Sequence, residues 1–202
     1  MGEVMDHFEQ KGLMENTLWI YVNDNGWDKE PQAEYRNDSL RWHNGGPRGK
    51  GSYYDQTYRS PIIFTWKGTL PQAKIKHELI SSMDLLPTIL DYVDLQKPVD
   101  LPGNSLRRNI AGETDQGRDQ VFGRITQLFD PNDPTFIGQQ ANGYWTRTDR
   151  YHFVWDVDNK EELLFDMQSD PKNDQNIAQI LPEKAEQFKK DIIAWRGRIG
   201  IN

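Results

Sequence analysis

The apolar run Leu18-Trp19-Ile20-Tyr21-Val22 closes on Asp24-Asn25-Gly26, and a basic glycine loop, Gly49-Lys50-Gly51-Ser52, follows after a turn-rich excursion. A run without polar alternation fits a strand covered on both faces, the usual condition of strands in a mostly parallel sheet. Such sheets hold ligands beyond the carboxyl ends of their strands, so Asp24 and Asn25 stand at a candidate site. One charged and one neutral side-chain oxygen suit a hard cation such as calcium better than zinc or copper. Lys50, flanked by glycines, marks where an anion is held.

The rest of the chain limits the partners. A net charge of -7 over 202 residues, without a long Lys/Arg run, argues against general affinity for nucleic acid or anionic membrane, so any anion is held locally. No stretch approaches the roughly 18 apolar residues of a membrane span, and Met1-Gly2-Glu3-Val4-Met5-Asp6 lacks the basic and apolar regions of a signal peptide. With no cysteine, the sequence carries neither disulfides nor thiolate chemistry, and thiol usage says nothing about compartment. Seven Trp, eight Tyr and eight Phe argue for a folded core despite a mean hydropathy of -0.85.

The periodicity predicts an α/β opening. A helix over residues 3 to 11 presents Val4, Met5 and Phe8 and stops at Gly12; the strand 17 to 22 follows, and Pro61 to Trp66 forms a second strand. A helix from Asp84 carries Leu85, Leu86, Ile89, Leu90 and Val93 on one face, with Asp84 as its cap. Later come a strand at Val121 to Ile125, a hairpin around Thr148-Asp149-Arg150, and a short strand at Leu163 to Phe165. Along the hairpin's second arm, Tyr151, Phe153, Trp155 and Val157 alternate with His152, Val154, Asp156 and Asp158. A terminal helix from Pro182 to about Arg196 docks Ala185, Phe188, Ile192 and Trp195 on the small sheet.

Six elements, in order and spread over nearly the whole chain, carry a resemblance. They are Glu9-Gln-Lys-Gly-Leu through Asp24-Asn25-Gly26, Lys50-Gly-Ser-Tyr-Tyr-Asp55, Arg59-Ser-Pro-Ile-Ile-Phe-Thr-Trp66, Met83-Asp-Leu-Leu-Pro-Thr-Ile-Leu-Asp91, Gly103-Asn-Ser-Leu106, and Leu163-Leu-Phe-Asp-Met-Gln-Ser-Asp-Pro171 with Asn176-Ile-Ala178. Together they resemble the carboxyl-terminal portion of the sulfatases, formylglycine-dependent enzymes of the alkaline phosphatase superfamily. The resemblance implies a fold: part of a mostly parallel α/β core over residues 1–112, then a small antiparallel sheet with a C-terminal helix over 113–202. It also implies hydrolysis of a sulfate monoester, calcium bound by Asp24 and Asn25, and Lys50 on the sulfate oxygens. A cation and an ammonium around the ester would stabilise the charge that shifts as the sulfur-oxygen bond breaks. Asn25 in place of imidazole favours calcium over the two-zinc phosphatases of the superfamily.

Three departures qualify the expectation. The Cys/Ser-x-Pro-x-Arg segment that supplies the family's nucleophile is absent: Ser169 has Pro171 after it but Asn173 where Arg would stand. The first strand with its paired Asp ligands and the segment carrying the catalytic His are also absent, so the chain reads as the later part of an enzyme that does not turn over sulfate esters alone. Asp55 stands where the family shows Glu. His43 and Arg48, in the long loop, are weaker candidates for substrate contact, and Trp42, Tyr53, Tyr54 and Tyr58 offer faces for a sugar ring or anchors for the loop. The partners implied are a sulfated small molecule or carbohydrate and a chain supplying the missing amino-terminal half. The competing readings are a non-catalytic module binding a sulfated glycan or that complementary chain, and a phosphodiesterase or phosphotransferase of the same superfamily. Complete relatives are typically periplasmic, secreted or lysosomal, whereas this sequence shows no export signal.

Overall fold

The computed structural model describes residues 2–26, 53–125, 143–157 and 160–200. They fall into two compact units, residues 1–23 with 61–118, and residues 24–60 with 119–202. In this division the described residues 24–26 and 53–60 group with the later part of the chain, although they precede the expected boundary between 1–112 and 113–202.

In the first unit, α1 (Gly2–Gln10) stops where Gly12 takes φ +67, a left-handed turn that glycine enters without steric cost. β1 (Trp19–Val22) pairs antiparallel with β2 (Ile62–Thr65), in register from Trp19 opposite Thr65 to Val22 opposite Ile62. Burial on both faces is not observed: Tyr21, Val22 and Ile63 are exposed. The reason lies in the ladder, which has only two strands among the described residues. Phe8 of α1 packs edge-on against Trp19 at 4.8 Å.

A second helix of this unit is held by polar bonds and not by its apolar stripe. In the 3-10 turn Ser82–Asp84, the Ser81 hydroxyl accepts from the Met83 amide while the Asp84 carboxylate accepts from the Ser81 amide, a reciprocal cap. Asp84 therefore does not cap the helix that follows, Leu85–Tyr92. Its carboxylate also accepts from the Asn104 amide at 2.8 Å and is held by Arg118 through Nε and Nη2. Thr88 donates to the Asp84 carbonyl and accepts from the Leu106 amide at 2.9 Å. The buried positions of the helix are thus Pro87 and Thr88, while Leu86, Ile89 and Val93 of the predicted apolar face are exposed.

Gly103 completes this clamp. Its φ is +91, and a Cβ there would lie 2.1 Å from the Met83 carbonyl oxygen. Gly103→Ala is expected to destabilise the unit by at least about 1 kcal/mol, read as a fall in denaturant midpoint at unchanged slope. The paired motifs at 83–88 and 103–106 are thereby explained as two halves of one hydrogen-bonded clamp.

The second unit is a four-stranded antiparallel meander, β3 (Val121–Ile125), β4 (Gly143–Arg147), β5 (Tyr151–Asp156) and β6 (Glu161–Asp166). The predicted hairpin at Thr148-Asp149-Arg150 joins β4 to β5, closed by the Thr148 amide on the Tyr151 carbonyl at 2.9 Å. The terminal helix runs Pro182–Arg198, with proline in its first turn where no amide bond is lost. Ala185, Phe188 and Ile192 join Tyr144, Phe153 and Leu164 in the core, and Trp195 stacks on Phe122 at 5.4 Å. Both sides of the alternation along β5 are buried: Phe153 on one, His152 and Val154 on the other. No helix among the described residues is long and apolar enough to cross a membrane.

Candidate functional site

The Asp24-Asn25-Gly26 turn belongs to the second unit. Asp24 is exposed and Asn25 half-buried, with the Asn25 amide donating to the Gly26 carbonyl at 2.9 Å. That bond engages the nitrogen and leaves Oδ1 as the ligand atom that Asn25 can offer. A Cβ at Gly26 would sit 1.9 Å from the Gln56 carbonyl oxygen and 3.0 Å from that of Arg59, so the turn approaches a neighbouring backbone that only glycine admits. The Gly26 amide donates to the Thr57 carbonyl at 2.8 Å.

That neighbouring backbone is α2 (Asp55–Tyr58), which follows the Lys50-Gly51 loop in sequence. Its other contacts run to the sheet. Tyr58 stacks on Trp145 of β4, with rings 3.9 Å apart and 6° from parallel, and the Gln56 amide donates to the Pro171 carbonyl at 2.8 Å. Asp55, buried, faces Arg147 of β4 at 3.4 Å and receives a longer 3.9 Å contact from Arg59. Arg147 keeps Nη1 buried without a hydrogen-bond acceptor among the described residues.

A second set of bonds runs through His152 of β5, which is fully buried. Tyr58 Oη bonds His152 Nε2, and His152 Nδ1 bonds Asn173 Oδ1 at 3.0 Å. The Asn173 oxygen also accepts from the Asp55 amide at 3.4 Å. Since the Asn173 oxygen can only accept, Nδ1 carries the proton and Nε2 accepts from the Tyr58 hydroxyl, the neutral tautomer. Burial pushes the His152 pKa down to about 4, against the pull of the Asp55 charge and the Asn173 bond and with the repulsion of Arg147. Burial, with the Asp55 charge adding to it, also raises Tyr58 well above the ordinary phenol value. At neutral pH both rings are uncharged.

Lys50, His43 and Arg48 lie outside the described residues. Among the described residues, no group of three or more His, Cys, Asp or Glu side chains is gathered to hold a metal. The hard oxygens of Asp24 and Asn25 fit calcium in kind, but calcium takes about 6–8 oxygens, so they fit as part of a ligand set completed elsewhere. Tyr58, read from the sequence as a sugar face or a loop anchor, is stacked on Trp145 as an anchor would be, whereas Arg147, His152 and Asn173 were missed as members of this region. The only trace was the polar residues lying among the apolar ones along β5.

Comparison with known proteins places this geometry in a family. The family model for the C-terminal part of N-sulphoglucosamine sulphohydrolase matches residues 48–194. The arylsulfatase of Clostridium perfringens is 25% identical over 195 residues, covering 95% of this chain and 34% of its own. The N-acetylglucosamine-6-O-sulfatase of Bacteroides thetaiotaomicron is 24% identical, covering 98% and 36%. Among solved structures, BT4656, determined with its substrate D-glucosamine-2-N,6-O-disulfate, superposes with a TM-score of 0.79 at 19% identity, over 100% of this chain and 38% of that one. A phosphonate monoester hydrolase from Silicibacter pomeroyi superposes with a TM-score of 0.74 at 25% identity, over 98% and 38%. The chain spans about a third of the length of the relatives it matches. It belongs to the sulfatase family of the alkaline phosphatase-like superfamily, and what it carries is that family's C-terminal domain.

Proposed function

We propose that this chain serves hydrolysis of a sulfate monoester, with Asp24 and Asn25 contributing oxygens to a calcium ion and Lys50 contacting the sulfate oxygens. The observation that carries the reading is the seating of Gly26 on α2: it brings the candidate ligand turn against the backbone that continues from the Lys50 loop. Calcium, when bound, would polarise the ester oxygens, and Lys50 would add a point charge that a glycine-flanked backbone lets approach closely. His43 and Arg48 are secondary candidates for the rest of the substrate. The sulfated carbohydrates of the Bacteroides relatives support a sulfated sugar as the substrate class.

The nucleophile is not among these residues, so the chain acts with a segment that supplies it, and without that segment it does not turn over sulfate esters. In a polypeptide or complex that also carries a Cys/Ser-x-Pro-x-Arg segment, Asp24→Ala and Lys50→Ala are each expected to lower 4-nitrophenyl sulfate hydrolysis by about 100-fold or more, with folding intact by circular dichroism. Unchanged rates in both folded variants would count against the assignment.

The likeness to the phosphonate monoester hydrolase favours one competing reading, a phosphodiesterase of the same superfamily. Faster turnover of a phosphonate monoester than of the sulfate ester, with zinc in place of calcium in metal analysis, would select it. A non-catalytic role, holding a sulfated glycan or the complementary chain, is selected by tight glycan or chain binding without turnover in that same assembly.

A further inference from the structure

We infer that Tyr58, His152 and Asn173 are positioning residues for the Asp24-Asn25-Gly26 turn, acting on it through the single-turn helix α2. The inference deepens the proposed site, and it rests on the assignment of Asp24 and Asn25 to that site.

α2 has four residues, too few to hold a helical turn by its own hydrogen bonds, so its place is set by what surrounds it. Its two sides do different things. Toward the turn, its contacts among the described residues are made by backbone: the Thr57 carbonyl takes the Gly26 amide, and the Gln56 and Arg59 carbonyls close over the Gly26 Cα. Toward the sheet it offers side chains: Tyr58 on Trp145 and His152, Gln56 on the Pro171 carbonyl, Asp55 on Arg147. The turn is therefore located by α2, and α2 is located by the sheet.

Asn173 is the node of the arrangement. One amide oxygen accepts from both the Asp55 backbone and His152, tying the start of α2 to β5 in a single atom. Asn173 itself is fixed in the left-handed region at φ +60, a conformation asparagine tolerates better than most residues. Its amide nitrogen lies 2.9 Å from the Met167 sulfur, which orients the oxygen toward His152. A residue buried only to fill the core needs no such set of directed bonds. Here each bond fixes the height or rotation of a backbone segment whose far side carries the turn.

Amide exchange on the whole chain, read residue by residue by NMR at neutral pH, tests the inference. Tyr58→Phe keeps the stacked ring and deletes the hydroxyl's bonds to His152 and to the Tyr53 carbonyl; it is expected to speed exchange of the Gly26 amide about tenfold, with the Phe153 and Ile192 amides unchanged within about twofold. Gly26→Ala, which forces the turn off α2 and leaves the cluster untouched, is expected to leave the Arg59 amide, bonded to the Asp55 carbonyl within α2, as protected as before. Unchanged exchange at Gly26 in Tyr58→Phe would overturn the inference, as would acceleration spread evenly over the second unit. Melting of α2 in Gly26→Ala would overturn it too, since the dependence would then run the other way; this arm decides if Tyr58→Phe does not fold. A calcium titration of the assembly that supplies the remaining ligands separates the two claims: no calcium effect at Asp24 or Asn25 there counts against the metal assignment alone, and leaves the exchange result to judge the positioning.

Discussion

Asp84→Ala is expected to unfold the first unit preferentially, at a cost of about 3 kcal/mol. Asp84 is 1% exposed and receives the Ser81 and Asn104 amides and both ends of the Arg118 fork. Removing one partner of a buried ion pair strands the other charge, which costs about 3–5 kcal/mol. The Arg118 side chain is 25% exposed and regains some water, so the lower end of that range applies. The two backbone amides gain nothing in exchange, and each stranded donor adds to the loss. Hydrogen exchange checks this: amides of residues 85–92 and 107–111 lose protection while those of 182–198 keep theirs. A loss shared equally by both regions would show that the clamp supports more than its own unit. Asp84→Asn retains the shape and one acceptor oxygen and is expected to lie between the two.

Acidification offers the second large effect, and its sign follows from His152. The folded-state pKa, about 4, lies below the ordinary unfolded value near 6.5. Between these values the unfolded chain binds a proton that the folded chain refuses, so stability is complete above pH 6.5 and falls as pH drops toward 4. The loss over that window is on the order of 3 kcal/mol, a slope approaching ~1.4 kcal/mol per pH unit. Carboxylates contribute in a different window. Burial pushes Asp84 up, but Arg118 and the Asn104 and Ser81 amides outweigh it and hold its pKa below the usual value, so its contribution disappears only as pH falls below about 4. Urea unfolding of the second unit from pH 7 to pH 4.5 checks the histidine. His152→Gln, destabilised at neutral pH, should show a nearly flat profile over that range, and a slope as steep as that of the unaltered chain would place its source elsewhere.

Much of the fold was legible because its signals are local. Gly12 ends α1, the Thr148-Asp149-Arg150 turn joins β4 to β5, and Ala185, Phe188 and Ile192 recur at helical spacing and are buried together. The misreadings concern what covers an element, which local pattern does not specify. The run at Trp19–Val22 looked like a doubly buried strand, yet it pairs with one neighbour and leaves Tyr21 and Val22 exposed. The stripe of Leu86, Ile89 and Val93 satisfies helical periodicity, whereas the bonds of Asp84 and Thr88 decide which side turns inward. At the candidate site, Asp24 and Asn25 are candidates read from motif and strand end. Tyr58 was read only as a sugar face or loop anchor, and His152 and Asn173 were not singled out, because their significance exists only across long separations in the chain.

Those separations bear on how the protein is made. Tyr58 and His152 lie 94 positions apart, and Asp55 and Asn173 lie 118 apart. Contacts so distant carry a large loop-closure penalty, so they form late relative to the hairpins. During synthesis the ribosome will have released residues 24–58 long before Asn173 emerges. The Asp24-Asn25-Gly26 turn must therefore wait, without the support that α2 draws from His152 and Asn173, until the strands of the meander and the segment after them have been laid down.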